Sequence, residues 1–280
     1  MGKFKDALLA IIQALVGQFD NNVATAINVL RIDFNSDPIF SVVYTTCGTI
    51  AGVIVPVATS ICGLCFLIEF IKISLKMDML KLETFFACLI KFAIAKASLD
   101  IAPTFLLAIY EQGMGIIGNG ALSGGSSTFS AIVSANIQTI LGGASWYEAL
   151  AFCATMSIMF VAVMIIGLMI VVMAYGRTFE LLLYFAVAPL PAAFLCLENS
   201  QITKKFFLNF ASVVLQGVLM LIVLGIFNSF VGAILDPTTF TGTTWQQMTA
   251  MMGQMLIATI TLATVLMKTG SLSKAVLGQA

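Results

Sequence analysis

Three charged side chains, Lys91, Lys96 and Asp100, fall inside one long apolar stretch, about Thr84–Tyr110. A charge within a membrane-length helix is costly, so it pairs, snorkels or meets water, and it marks a functional candidate. Lys96 and Asp100 are four residues apart, the spacing at which an ammonium and a carboxylate can pair on one helical face. Two uses fit them: the polar wall of a water-filled path, or a self-neutralised pair that ties a helix bundle together. Lys91 stands nearer the expected cytoplasmic end and is placed to snorkel. A second pair, Arg177 and Glu180, is spaced for a salt bridge. It opens an apolar segment, Phe179–Leu197, that contains Ala188-Pro189-Leu190-Pro191. The pair reads as an interfacial ion pair or, with the break at Pro189 and Pro191, as part of a gate.

Other chemistry has little to build on. The chain has no histidine, which removes the commonest general base and metal ligand. Cys62 and Cys65 have the spacing of a redox motif but lie in the apolar run Val53–Leu67, where a thiolate is disfavoured. They read as small membrane-helix residues. Met248, Met251, Met252 and Met255 recur at helical spacing and suit core packing. Glu111 and Glu148 border a polar stretch and read as solvated. No Walker-type loop, metal-ligand cluster or nucleophile–base set occurs, so no enzyme activity and no cofactor are expected.

The elements that position these residues follow from composition. Hydrophobic residues make up 60% of the 280 and charged residues 9%, against about 45–50% and about 25% in soluble domains. So few charges cannot clothe a water-exposed surface, and lipid must cover much of it. Basic and acidic residues balance at 13 each, which argues against a chain-wide attraction for nucleic acid. The fold class expected is all-α, a polytopic transmembrane bundle of about five spans plus the proline-broken segment. The spans are Pro38–Ile68, Thr84–Tyr110, Trp146–Gly176, Phe206–Leu235 and Trp245–Met267. Pro56 and Pro103 are expected kinks. Before them, residues 1–36 form an amphipathic helix, striped by Phe4, Leu8, Ile12, Leu15, Phe19, Val23, Ile27 and Leu30. Its uncharged part is too short to span, so it should lie in an interface or on partner subunits. Asp37-Pro38 reads as the N-cap of the next helix. Residues 37–280 form the membrane domain, with an external loop at 111–146. That loop holds a Gly/Ser-rich run, Gly118–Ser127, and a short apolar stretch, Phe129–Leu141, that reads as a surface helix or a re-entrant segment.

Orientation follows from Lys and Arg in the loops. Lys72, Lys76 and Lys81 place the first connection inside, and the lack of Lys and Arg in 111–146 and 236–244 places these outside. Arg177, Lys204, Lys205, Lys268 and Lys274 are then inside if Phe179–Leu197 turns back without crossing. That arrangement leaves Lys3, Lys5 and Arg31 outside, against the rule. A six-span alternative, with Phe179–Leu197 crossing, puts Lys204 and Lys205 outside, and the five-span arrangement is preferred.

The run Tyr175-Gly-Arg177-Thr-Phe-Glu180-Leu-Leu-Leu-Tyr-Phe-Ala-Val-Ala-Pro189-Leu-Pro191 resembles the TrbL family of inner-membrane components of bacterial type IV secretion and conjugation machines. By topology the resemblance covers roughly 38–270, and in sequence detail about 146–200. It implies a multi-pass protein of the bacterial cytoplasmic membrane that acts as channel or scaffold for transferred DNA or protein. It implies a homo-oligomeric ring, fivefold by family analogy, in contact with lipid, with other secretion-machine subunits and with their ATPases. Transient contact with the transferred DNA or protein is also implied. The candidate path-lining or gating residues are Lys91, Lys96, Asp100, Arg177, Glu180, Pro189 and Pro191. Readings from other classes are a small-molecule or ion transporter, whose mark would be broken helices at matching positions in two halves, and a pore-forming protein.

The five-span arrangement makes a prediction for single cysteines placed in a background lacking the native ones. An impermeant maleimide added from outside should label positions 22, 126 and 243 and leave 200 and 273 unlabelled. Labelling at 200 would mean that Phe179–Leu197 crosses.

Overall fold

Backbone N–H and C=O groups in hydrocarbon need partners within the protein, and a helix supplies them within its own segment. The computed structural model, which describes residues 2–75, 82–118, 129–142, 145–197, 200–235 and 242–278, meets this need with helices. In chain order they are α1 (Gly2–Leu30), α2 (Phe40–Leu75), α3 (Leu82–Gly118), α4 (Phe129–Gly142), α5 (Trp146–Val187), the one-turn α6 (Pro189–Ala192) with a 3-10 turn at Ala193–Cys196, α7 (Gln201–Ile234) and α8 (Thr244–Val276). Among the described residues, five helices are long and apolar enough to cross a membrane: Phe40–Leu75, Phe85–Gly115, Tyr147–Val187, Gln201–Ile234 and Thr244–Val276. The all-α polytopic fold and its five spans are therefore those expected. Pro56 and Pro103 lie inside α2 and α3, which run on as single helices past them.

The main difference concerns the segment Phe179–Leu197. It is not one apolar piece: α5 continues past Gly176 and Arg177 to Val187, and only then does the helix stop. Its 42 residues measure about 63 Å at about 1.5 Å per residue, twice a hydrocarbon core of about 30 Å. Ala188 is a turn residue, and Pro189, fixed at a helical φ, starts α6. The Gly/Ser-rich run at 119–128, Lys76, Asp78 and Lys81 lie outside the described residues.

The chain's contacts gather into two compact units. The first comprises residues 1–31, 117–176 and 216–272. Here α1 packs on α4, so the face expected to meet a membrane interface or a partner meets this chain's own helix. Ile12, Val16, Phe19, Ala26, Val29 and Leu30 are buried, while Leu15, Val23 and Ile27 are half-buried. The buried stripe thus sits slightly round the helix from the expected one. The Phe19 ring, wholly buried, lies 5.0 Å from Phe129 and 6.2 Å from Phe227. Asp20 Oδ2 accepts the backbone N–H of Ser130 at 2.9 Å, which supplies both an acceptor and a negative charge to the first turn of α4. At the other end, Asn136 Nδ2 donates to the Leu235 carbonyl just beyond α7. Gly167 allows α5 to approach α1, since a Cβ there would sit 3.0 Å from the Phe19 ring. Met248, Met251 and Met255 are buried, which is the packing role expected of them.

The second unit comprises residues 32–116, 177–215 and 273–280. Asp37 Oδ1 accepts the N–H groups of Ile39 and Phe40 at 2.9 and 3.0 Å, the expected N-cap. Phe34 is the hub of an aromatic cluster, with Tyr110 at 4.9 Å, Phe185 at 5.6 Å and Tyr44 at 6.1 Å between ring centroids. The Tyr110 hydroxyl donates to the Ile32 carbonyl at 2.9 Å, so the irregular backbone between α1 and α2 is tied to the end of α3. Gly113 lets α3 press on α7, where a Cβ would stand 2.8 Å from Val214 Cγ1.

The Asp20 contact makes a testable prediction. Replacing Asp20 by Ala removes a helix-terminal acceptor, a loss of about 1 kcal/mol. Hydrogen exchange of the backbone amides at 129–142 in the detergent-purified protein should speed up about fivefold, with exchange in α2 unchanged. No change at 129–142 would mean that Asp20 does not hold α4.

Candidate functional site

Ending a helix inside an apolar protein strands up to four carbonyls at its last turn, and the break after α5 has to be built around that cost. Ala188, Ala192 and Ala193 are buried almost completely. Their small side chains let α2 lie directly across α6 and the 3-10 turn. Pro189 and Pro191 are themselves buried. The carbonyl of Pro191 accepts a hydrogen bond from the buried hydroxyl of Thr203 at 2.6 Å, and the turn closes with the Leu197 N–H on the Phe194 carbonyl at 3.1 Å. The break is thus a covered, hydrogen-bonded joint between α5 and α7, with Cys62 of α2 touching Cys196 at its far end, 3.2 Å between sulfurs. An apolar cleft of about 410 Å³ opens beside it, lined by Ile94, Ile101 and Phe105 of α3 and by Ala192, Leu195 and Phe207.

Arg177 and Glu180 form the ion pair that their spacing implies, Nη1 donating to Oε2, with side chains 26% and 41% exposed. The pair sits on the continuous part of α5 ahead of the break.

The charges of α3 fall out differently. The helix has three faces. Cys88, Ala95, Leu99, Ala102, Leu106 and Tyr110 are buried. Ile90, Ile94, Ile101 and Phe105 form a large apolar face that is exposed. Lys96, Asp100, Thr104 and Glu111 share a third face with Ala93, also exposed, because steps of four and seven residues return to one side of a helix. Lys91 is exposed too but stands nine residues before Asp100, which at about 100° per residue is the opposite side of the helix. The structure therefore brings Lys96 and Asp100 together and leaves Lys91 apart. Lys96 and Asp100 do not form the ion pair that their spacing allows. Among the described residues the ion pairs are Glu69–Lys72 and Arg177–Glu180. Both α3 side chains project from an uncovered face, where no neighbour holds them in a pairing rotamer.

Two other carboxylates are held by neighbours. Glu69 is 5% exposed and lies 3.5 Å from the exposed Lys72 ammonium. Glu148, taken as solvated, accepts the N–H of Ser145 at 2.7 Å. That contact is half of a capping box, and the Ser145-x-x-Glu148 pattern was available as its signal. Thr203, Asp20 and Asn136 carry contacts that no local pattern announces, because each partner is distant in the chain. The thiols are buried apart from the half-buried Cys153. The Cys196 thiol, outside the five long helices, is pushed up to about 12 by burial first and by its Cys62 contact second. Among the described residues, no three of His, Cys, Asp and Glu stand together as a metal site.

A family model of TrbL/VirB6 plasmid conjugal transfer like proteins matches residues 18–189. No curated protein and no solved structure matches the chain.

Thr203 tests the joint. Thr203→Val removes the donor and leaves the buried Pro191 carbonyl without it, a cost of about 1–3 kcal/mol. The midpoint of unfolding in mixed micelles should fall, and Thr203→Ser should keep most of the loss from appearing. Equal midpoints for Thr203→Val and the parent would contradict this account of the break.

Proposed function

Because the chain belongs to the TrbL/VirB6 plasmid conjugal transfer-like family, we propose that it is a membrane-embedded channel and scaffold subunit of a bacterial type IV secretion machine. The observation that carries this reading is the third face of α3. Lys96 and Asp100 stand exposed and unpaired with each other on a helix long and apolar enough to span a bilayer. Lipid is a poor neighbour for them. In the assembled machine that face lines a water-filled path bounded by several copies of the chain, while the face of Ile90, Ile94, Ile101 and Phe105 meets lipid. A ring of copies, fivefold by family analogy, generates such a path about its axis.

Within this reading Lys96 and Asp100 line the path, and Lys91 reaches the lipid headgroups. The joint at Pro189 and Pro191 is the gate's hinge, with Arg177 and Glu180 fixing the helix that leads into it. The cleft beside Ala192 and Leu195 gives the joint space to move. The N-terminal segment 1–36 and the loop 111–146 face outward in the cytoplasmic (inner) membrane. Transferred DNA or protein passes through without tight binding, since the chain's net charge is zero. Energy comes from partner ATPases of the machine. A catalytic role is not part of the proposal. A transporter of small molecules has less support: its mark is a pair of broken helices in matching halves, whereas α2 and α3 stay continuous through their prolines.

Transfer frequency tests the reading. Donor cells carrying Lys96→Met together with Asp100→Leu should transfer less by about tenfold or more, equivalent to ~1.4 kcal/mol on the limiting step, with the protein present in the membrane at parental level. Replacing Ile94 and Ile101 by Leu should leave transfer unchanged. Parental transfer by the charge-free variant would refute a path along this face.

A further inference from the structure

The joint after α5 is held to α2 by apolar packing and by one contact of a different kind. Cys62 Sγ and Cys196 Sγ stand 3.2 Å apart, 134 positions apart in the chain. Cys62 is 1% exposed and Cys196 3%. Around them Ala58 on α2 and Ala192 and Ala193 in the joint are buried to 0–1%, so the two backbones approach closely and no bulky side chain separates the sulfurs. An S–S bond is about 2.03–2.05 Å long. The sulfurs must therefore close by about 1.2 Å. Cys65 is also buried on α2, but it is Cys62 that meets Cys196.

We propose that Cys62 and Cys196 are a redox-active dithiol whose oxidation to a disulfide locks the joint at Pro189–Cys196 against α2. In the reaction the two thiols give up two protons and two electrons as their sulfurs bond. A two-electron oxidant takes up all four; with an azo compound such as diamide, its N=N bond becomes a hydrazine. Reduction by a dithiol returns both thiols and frees the joint. In the closed state α2 and the joint can no longer separate at this point, so any motion of the joint relative to α2 is blocked. That consequence for transfer rests on the gating role proposed above. The formation of the bond rests on the sulfur geometry alone.

The experiment uses the full-length protein in its native membranes, treated with membrane-permeant diamide, then denatured and reacted with a mass-tagging maleimide. A variant that keeps Cys62 and Cys196 and carries Ser at Cys47, Cys65, Cys88 and Cys153 should take two tags before oxidation and lose both after it. A matching variant that keeps Cys65 and Cys196 should retain its two tags. Two tags retained by the first variant, or equal loss in the second, would overturn the proposal. The parent chain with all six cysteines provides a measurement independent of how these variants fold. Peptide mass spectrometry after oxidation should show a linked pair containing Cys62 and Cys196, and linkage of Cys196 to another cysteine would overturn the assignment. Transfer by oxidised parental donors should fall and recover with dithiothreitol, and Cys196→Ser donors should lack that reversible component. A mapped disulfide with unchanged transfer would leave the dithiol standing and remove both the lock and the gating role of the joint.

Discussion

Backbone polar groups that lack water must find partners inside the protein, and the rest of this structure depends on how that demand is met. Long helices meet it internally, so the spans themselves are simple. The demand bites where helices end. Four ends have a named acceptor or donor: Asp37 for α2, Asp20 for α4, Glu148 for α5 and Asn136 for the carbonyl beyond α7. The hardest case is the stop after Val187, where a helix ends among apolar neighbours. Thr203 donates to the Pro191 carbonyl there, and buried alanines bring α2 over the joint. The result is an interruption that is tolerated because it is covered and hydrogen-bonded.

Charge is the second scarce quantity, and it is spent selectively. Arg177–Glu180 and Glu69–Lys72 satisfy each other locally. Lys96 and Asp100 do not, and they share their face of α3 with Ala93 and Thr104. A helix with one buried face, one large apolar face and one small polar face has three different neighbours to satisfy: its own chain, lipid, and water or a second copy. Under the proposed channel role, this division of α3 makes the face of Lys96 and Asp100 the side turned to the path.

Much of this was legible in the sequence. Long apolar runs located the five spans, since length and composition decide whether a helix can cross a bilayer. Asp37-Pro38 and the Arg177–Glu180 spacing are local patterns, and local patterns carry through to structure. The stop after Val187 was visible in Pro189 and Pro191, but not that α5 would run unbroken through Gly176 to reach it. Nothing in the sequence separates a helix that ends at a glycine from one that continues. Whether Lys96 and Asp100 pair was open in the sequence, because spacing states only that two groups can meet; the environment decides whether they do. Thr203, Asp20, Asn136 and the Cys62–Cys196 contact were invisible because their partners lie far away in the chain. Glu148 was simply missed, since its capping pattern stands in the sequence.

The central claim is that one face of α3 is wet and the adjacent face is in lipid when the machine is assembled. It is tested most directly by the reaction rate of a small water-soluble maleimide with single cysteines along that helix, measured in membranes of transferring cells. Cysteines at positions 93 and 104 should react much faster than those at 90, 94 and 101, because a hydrated thiol ionises more readily than one in lipid. Uniformly slow reaction at all five positions would mean that no water reaches the face of Lys96 and Asp100, and the path would have to lie elsewhere.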